Sequence, residues 1–104
     1  MSAERRVTRR VEATIDSERG VFMISVAAEL AHMHPQTLRV YEARGLIEPK
    51  RSPKNTRLYS QRDVELLQRI QQLTAEGLNL AGVERVLALE RRIEALERRL
   101  ADAT

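Results

Sequence analysis

Residues 25–59 read SVAAELAHMHPQTLRVYEARGLIEPKRSPKNTRLY, and the local signals in this segment indicate the architecture of the chain. It predicts two short helices joined by a tight turn, followed by a basic hairpin. A helix-turn-helix followed by such a hairpin, or wing, is an arrangement that reads double-stranded DNA. The predicted fold class is mainly α, with a flexible polar arm over residues 1–20, a winged helix-turn-helix domain over residues 21–77 and a dimerisation coiled-coil helix over residues 78–104.

Local signals set the ends of the two short helices. Ser25 is predicted to cap the first helix, which then covers residues 26–31. His32 lies at the turn, where a left-handed backbone is required and histidine is one of the few enriched residues besides glycine. Pro35 suits the first position of the second helix, because its missing N–H is not needed there. Gly45 suits the C-terminal stop of that helix.

Two segments precede the first helix. Residues 21–24 read VFMI, and this short apolar segment is expected to pack on the first helix. The polar arm carries four arginines that would be able to follow a DNA groove, although a disordered tail is the simpler interpretation; they are Arg5, Arg6, Arg9 and Arg10.

One face of the second helix carries chemistry suited to base edges. At 3.6 residues per turn, the side that faces the core collects Leu38, Tyr41 and Glu42. The opposite face is expected to lie in a major groove and collects Gln36, Arg39, Val40 and Ala43. Arginine can bond guanine through two N–H groups, and glutamine can bond adenine. A phosphate contact by Arg39, which positions the protein without reading the sequence, remains an equal alternative.

Positive charge concentrates on the same part of the chain. Residues 25–62 carry seven Lys or Arg and three Asp or Glu, whereas residues 63–104 carry six and eight. A turn is predicted at residues 53–55, and around it the hairpin places Lys50, Arg51, Lys54 and Arg57. A phosphate backbone attracts such a surface, which favours a DNA-contacting wing over a flexible, solvated loop.

Two longer helices follow the hairpin. Ser60 and Asp63 form a capping-box pattern that begins the third helix, and Gly77 ends it. Its apolar stripe consists of Val64, Leu67 and Ile70, with Leu66 and Leu73 as further members. Asn79 is predicted to cap the last helix.

The last helix carries an apolar seam with the a/d spacing of a coiled coil, formed by Val86, Leu89, Ile93, Leu96 and Leu100. An exposed seam of this kind requires a partner helix, so the sequence predicts a homodimer. The charges beside the seam, with glutamates at e positions and arginines at g positions, favour a parallel pair.

Several kinds of chemistry are not expected. The sequence contains no cysteine, which excludes disulfides and thiolate metal sites. No glycine-rich phosphate loop or catalytic triad is visible, so we predict no enzyme and no cofactor. His32 and His34 have a metal-like spacing, but two histidines without a third ligand are interpreted as turn residues. No signal-peptide core and no membrane-spanning segment is visible, which predicts a cytoplasmic location.

Three runs resemble the MerR family of bacterial transcription regulators. They are TLRVYEARGLI at residues 37–47, RLYS at residues 57–60 ahead of Asp63 and Val64, and GLNL at residues 77–80. Within that family, residues 24–39, 63–73 and 78–86 are similar to its heat-shock repressors. The resemblance implies a homodimer that binds an inverted-repeat operator and represses chaperone genes, with the chaperone DnaK as co-repressor. It also implies an antiparallel dimer helix, which we prefer to the parallel pair.

The resemblance carries DNA contacts onto Thr37, Arg39 and Tyr41 in the second helix and onto Arg57 and Tyr59 in the wing. Tyr41 has the alternative of a core position. The full predicted DNA-binding set is Gln36, Thr37, Arg39, Tyr41, Arg44, Lys50, Arg51, Lys54, Arg57 and Tyr59. Other interpretations stay open: another MerR-type regulator, an excisionase-like architectural factor that bends DNA, and a helical adaptor whose basic surface is incidental.

Overall fold

The structure, a computed structural model, describes residues 17–103. Most of the predicted arm, with its four arginines, lies outside the described residues. In the described part, the elements follow in the order α1 (Ile24–Leu30), α2 (Pro35–Ala43), β1 (Lys50–Arg51), β2 (Arg57–Leu58), α3 (Gln61–Ala75) and α4 (Leu80–Ala103). The prediction of a mainly helical winged helix-turn-helix with a long last helix is confirmed. The chain forms two compact units that divide after residue 69, within α3.

Helix α1 begins earlier than the sequence predicted. Met23 occupies the N-cap position in an extended backbone and makes no side-chain cap, so the prediction of Ser25 as the cap is wrong. The backbone of Phe22 forms an antiparallel bridge with Tyr59, which holds the chain extended until the helix begins. Side chains alternate along an extended segment, and Val21 and Met23 are exposed rather than packed on α1 as expected.

The turn and the second helix follow the local signals. His32 has φ 57°, in the left-handed region. Pro35 is the first residue of α2, and the Nδ1 atom of His34 accepts a hydrogen bond from the backbone N–H of Gln36 at 3.0 Å. Gly45 has φ 77° and follows the end of the helix. His32, Pro35 and Gly45 thus lie where they were predicted, whereas the cap that His34 provides was not predicted.

The wing is a short antiparallel hairpin. Lys50 is paired with Leu58, and Arg51 with Arg57. The turn between the strands is held by the Ser52 hydroxyl, which accepts hydrogen bonds from the backbone N–H groups of Lys54 at 3.2 Å and Thr56 at 3.1 Å. The predicted basic hairpin is therefore an ordered turn with local side-chain support.

Residues 17–22 lie beside the second wing strand. Phe22 and Tyr59 exchange backbone hydrogen bonds of 2.9 and 2.7 Å, and the N–H of Arg62 donates to the carbonyl of Ser17 at 2.9 Å. A Cβ atom on Gly20 would lie 3.0 Å from the Cβ of Leu58 and 3.1 Å from its carbonyl oxygen. Glycine therefore permits an approach that would be unusually tight for a residue with a Cβ atom.

Both remaining helix starts were predicted correctly. At α3, the Ser60 hydroxyl accepts from the N–H of Asp63 at 3.0 Å, and the Asp63 carboxylate accepts from the N–H of Ser60 at 2.8 Å. This reciprocal pair is the capping box. At α4, the side-chain oxygen of Asn79 accepts from the N–H of Gly82 at 2.9 Å.

Each unit has its own buried residues. In residues 17–69 they include three small residues of the first helix and its turn, which permit close approach, and several larger side chains: Ala27, Ala28, Ala31, Leu38, Tyr41, Ile47, Tyr59, Val64 and Leu67. In residues 70–103 the buried side chains are Ile70, Leu73, Val83 and Leu87. The predicted apolar stripe of α3 is thus buried except for Leu66, which is half-buried.

The His34 cap generates a stability prediction. We expect His34→Ala to lower the free energy of unfolding by about 1 kcal/mol, because a free N–H of α2 loses its acceptor. The thermal midpoint should fall by about 4–8 °C in a chain of this size. His34→Asn, which restores a capping oxygen, is the matched control. Equal midpoints for the alanine variant and the unchanged chain would show that the cap contributes nothing.

Candidate nucleic-acid interface

The outward face of α2 is the one predicted from its periodicity. Leu38 is fully buried and Tyr41 is 8% exposed, so these side chains fix which side of the helix meets the core. On the other side, Gln36, Arg39, Val40 and Ala43 are all exposed. An arginine, an amide and an apolar side chain therefore project from the same outward surface.

Gln36 and Arg39 contact each other on this face. The Nη1 atom of Arg39 donates to the Oε1 atom of Gln36 at 3.2 Å. Reading adenine requires both the oxygen and the nitrogen of a glutamine amide, and here the oxygen already has a partner. In this conformation Gln36 orients the guanidinium of Arg39, a role that the sequence analysis did not assign to it.

Two further predicted residues of the second helix lie near its ends. Thr37 is half-buried in the first turn, and its backbone N–H donates to the carbonyl of His34 at 2.9 Å. Arg44 is exposed at the C-cap position, and its backbone N–H donates to the carbonyl of Val40 at 3.0 Å. Thr37 therefore lies in the first turn of α2, next to Gln36 in sequence, and Arg44 follows the outward face at the C-terminal end of the helix.

The basic side chains of the wing differ in what they contact. Lys50, Arg51 and Lys54 are exposed, whereas Arg57 is half-buried. The ammonium of Lys50 donates to the carbonyl of Glu18, so residues 17–22 contact the wing through a side chain as well. The Nη1 atom of Arg51 is 3.4 Å from the carbonyl oxygen of Asn55 across the turn.

Glu42 is the residue that the sequence analysis missed. Its Oε2 atom accepts a hydrogen bond from the Nε atom of Arg57 at 2.7 Å, and its Oε1 atom lies 3.4 Å from the Nη2 atom of Arg51. The carboxylate thus joins α2 to both strands of the wing. Periodicity placed Glu42 on the inner side of the helix, but only the register of the hairpin could bring the two arginines to it.

Tyr59 is not on the surface, which corrects its prediction as a DNA contact. The side chain is fully buried, and the sheet-like pairing of its backbone with Phe22 turns the ring inward. Among the described residues its hydroxyl has no hydrogen-bond partner. Burial raises the pKa of the Tyr59 phenol above its ordinary value, and the Glu42 carboxylate raises this pKa further. Tyr41 takes the core position that was its alternative.

The seam of α4 is exposed in the single chain. The exposed fractions are 58% for Leu89, 53% for Ile93, 48% for Leu96 and 70% for Leu100, while Val86 is half-buried. Four large apolar side chains at this spacing form a continuous stripe along one side of the helix. The geometry provides the surface that a partner helix would cover.

Residues 17–103 contain neither a cluster of metal ligands nor a membrane-spanning helix. No group of three or more histidine, aspartate or glutamate side chains is arranged to hold a metal ion. No helix in this range is long and apolar enough to cross a membrane. Of the two histidines with metal-like spacing, His32 forms the left-handed turn and His34 caps α2.

Comparison with known proteins identifies the family. Residues 22–90 match the model described as the MerR HTH family regulatory protein. The chain belongs to the MerR family. The resemblance found in the sequence is thereby confirmed, and the matched residues contain the helix-turn-helix, the wing and the first part of α4.

Two relatives show how the similarity is distributed. A Streptomyces coelicolor protein that carries the name heat shock protein HspR is 45% identical over 95 residues, which cover 90% of this chain and 63% of the relative. The HTH-type transcriptional regulator GlnR of Bacillus anthracis is 36% identical over 78 residues, which cover 74% and 60%. This chain thus spans about three fifths of the length of these relatives.

Solved MerR structures share the fold. PbrR691 of Ralstonia metallidurans, solved with lead(II), has a TM-score of 0.66 and 32% identity over 80% of this chain and 68% of its own. HiNmlR, a family member that lacks the sensor domain and was solved bound to promoter DNA, has a TM-score of 0.62 and 24% identity over 76% and 67%. At that identity the second comparison establishes the common fold alone.

The buried Tyr59 hydroxyl generates a prediction on stability and pH. We expect Tyr59→Phe to leave the free energy of unfolding unchanged or to raise it by up to about 1 kcal/mol, because a buried hydroxyl without a partner is removed. The unfolded phenol has a pKa of about 10, and the folded pKa is higher. The unfolded state therefore loses its proton first, and stability falls as the pH rises above about 10.

Urea unfolding of the unchanged chain and of Tyr59→Phe, between about pH 8 and pH 11, checks both expectations. The alkaline loss of stability should be smaller in the variant. A variant less stable by more than about 1 kcal/mol at pH 8 would show that the hydroxyl is hydrogen-bonded in solution.

Proposed function

We propose that this protein is a sequence-specific transcriptional repressor that binds an inverted-repeat operator as a homodimer. The observation that carries the proposal is the outward face of α2, where Gln36 orients Arg39 beside a basic hairpin. A helix with such a face fits the major groove, and a basic hairpin beside it fits the phosphate backbone. Membership of the MerR family supports this interpretation.

The proposed base contact is made by Arg39. Its guanidinium is exposed and bonded to Gln36 at one nitrogen. The side chain has therefore already lost part of its conformational entropy before DNA binds, which lowers the entropic cost of binding. The remaining N–H groups are able to bond a guanine edge. Val40, exposed on the same face, is suited to contact a thymine methyl group.

The proposed phosphate contacts are made by residues around this face. Thr37 and Arg44 lie at the two ends of α2, and the wing supplies Lys50, Arg51, Lys54 and the part of Arg57 that is not bonded to Glu42. Such contacts determine position and total affinity rather than sequence preference. The promoter-bound relative HiNmlR supports the use of this fold on DNA.

Chaperone genes are the proposed targets, and DnaK is the proposed co-repressor. The support is the 45% identity to the relative named as a heat shock protein, together with the similarity of three segments to heat-shock repressors. Such a repressor would act in the cytoplasm without a cofactor and without enzymatic activity.

The target class is tested by fluorescence anisotropy on an inverted-repeat duplex from upstream of a chaperone operon, beside a scrambled duplex, over a salt series with and without DnaK. We expect tight binding of two chains to the repeat and tighter binding when DnaK is present. Equal, steeply salt-dependent binding to both duplexes would indicate an architectural factor instead. Absence of binding to either duplex would indicate a protein–protein adaptor.

Arg39→Ala tests the base contact. We expect its affinity for an operator selected from a random duplex library to fall by about 1–3 kcal/mol, which is about 5- to 150-fold. Affinity for a scrambled duplex should change less. Arg98→Ala, which removes the same charge from an exposed position of α4, is the control. Equal losses on the operator and on the scrambled duplex would assign Arg39 to a phosphate.

Ile93→Lys tests the homodimer. Each chain loses about 2 kcal/mol of apolar burial, and a twofold interface counts this loss twice, so the dimer dissociation constant should rise by roughly 1000-fold. Sedimentation equilibrium measures this constant directly. Glu94→Lys places a lysine at the neighbouring b position, outside the seam, and should leave the constant nearly unchanged. A dimer that persists with Ile93→Lys would exclude the seam as the interface.

A further inference from the structure

One carboxylate of α2 holds both strands of the wing. Arg51 and Arg57 are partners in the register of the hairpin, and both approach Glu42. The side chain of Glu42 is 20% exposed, less than the side chains of Arg51 at 41% and Arg57 at 37%. Glu42 is therefore the more buried member of both ion pairs.

The two pairings differ in strength. The contact with Arg57 is a hydrogen bond of 2.7 Å to its Nε atom, which fixes the direction of the guanidinium plane. The contact with Arg51 is 3.4 Å, near the limit of hydrogen bonding. Glu42 therefore restrains Arg57 more than Arg51, and its single negative charge is shared between two positive ones.

We propose that Glu42 is a positioning residue that sets the DNA specificity of the wing by restraining Arg51 and Arg57. This inference rests on the DNA binding proposed above. Unrestrained arginines adapt to any arrangement of phosphates, and contacts of that kind supply sequence-independent affinity. Arginines held in one geometry contact phosphates only where the duplex places them at matching positions, as in the complex with the operator. Glu42 thus lowers affinity for unrelated duplexes more than affinity for the operator.

The salt dependence of binding separates this role from a merely structural one. The slope of log affinity against log salt steepens by about 0.9 for each further phosphate that a protein neutralises. If Glu42 only stabilised the fold, its replacement would change thermal stability but not the number of phosphates that the wing neutralises. If it restrains the arginines, its replacement releases them to new phosphates.

The first experiment compares Glu42→Gln with Glu65→Gln in the full chain, on the selected operator and on a scrambled duplex. Glu65 is exposed on α3, so its replacement reports the effect of losing a charge elsewhere in the same unit. For Glu42→Gln we expect the slope on the scrambled duplex to steepen by about 0.9–1.8. We also expect a ratio of operator to scrambled affinity at least about threefold lower, because the released contacts are independent of sequence.

Arg57→Gln in both backgrounds completes a double-mutant cycle. In the chain that retains Glu42, this change should alter the slope on the scrambled duplex by much less than 0.9, because Arg57 is held by Glu42 and is not released to new phosphates. In the Glu42→Gln background it should reduce the slope by about 0.9. Additive effects of the two substitutions would overturn the proposal, since independent residues do not couple.

A third comparison avoids replacing Glu42, in case the glutamine variant does not fold. In the otherwise unchanged chain, Arg51→Gln should reduce the salt-dependence slope on the scrambled duplex more than Arg57→Gln does, because Arg51 is the more weakly restrained of the two. Equal reductions would overturn the proposal. If Glu42→Gln and Glu65→Gln had the same salt-dependence slopes and the same ratios of operator to scrambled affinity, the proposal would also be overturned. The proposed function would stand in that case. If the unchanged chain bound no duplex, the proposed function would fall and this inference with it.

Discussion

A hairpin with two residues in each strand is too short to be stable by itself in water. The position of the wing therefore depends on what holds it from outside. On one side, the backbone of Tyr59 exchanges hydrogen bonds with Phe22, and its ring is buried. On the other side, Glu42 bonds to both strands. The wing is thus attached to the domain through the backbone pairing and buried ring of Tyr59 and through the ion pairs of Glu42.

The second helix combines support and recognition in nine residues. Its inner side supplies Leu38 and Tyr41 to the core and Glu42 to the wing, while its outer side is left to Gln36 and Arg39. Arg39 is therefore oriented by an amide and Arg57 by a carboxylate. An amide leaves the charge of its arginine intact, whereas a carboxylate cancels part of it, so the two groups are suited to different roles on DNA.

The features predicted correctly from the sequence are those with a local cause. The left-handed turn at His32, the stop at Gly45 and the capping box at Ser60 each depend on residues a few positions apart. The predictions that were wrong have a distant cause, although the His34 cap, which was not predicted, is a local contact. Ser25 failed as a cap because Phe22 pairs with Tyr59, 37 positions further along the chain. The burial of Tyr59 and the contacts of Glu42 depend on the register of a hairpin whose strands carry no periodicity long enough to reveal it.

The way the chain enters the fold has a practical consequence. The carbonyl of Ser17 accepts from the N–H of Arg62, and Gly20 packs against Leu58, so the polypeptide joins the domain alongside the hairpin. Residues 17–22 are consequently fixed next to the wing. Charged groups introduced among these residues, by substitution or by labelling, would alter the electrostatic field around the wing and distort measured DNA affinities.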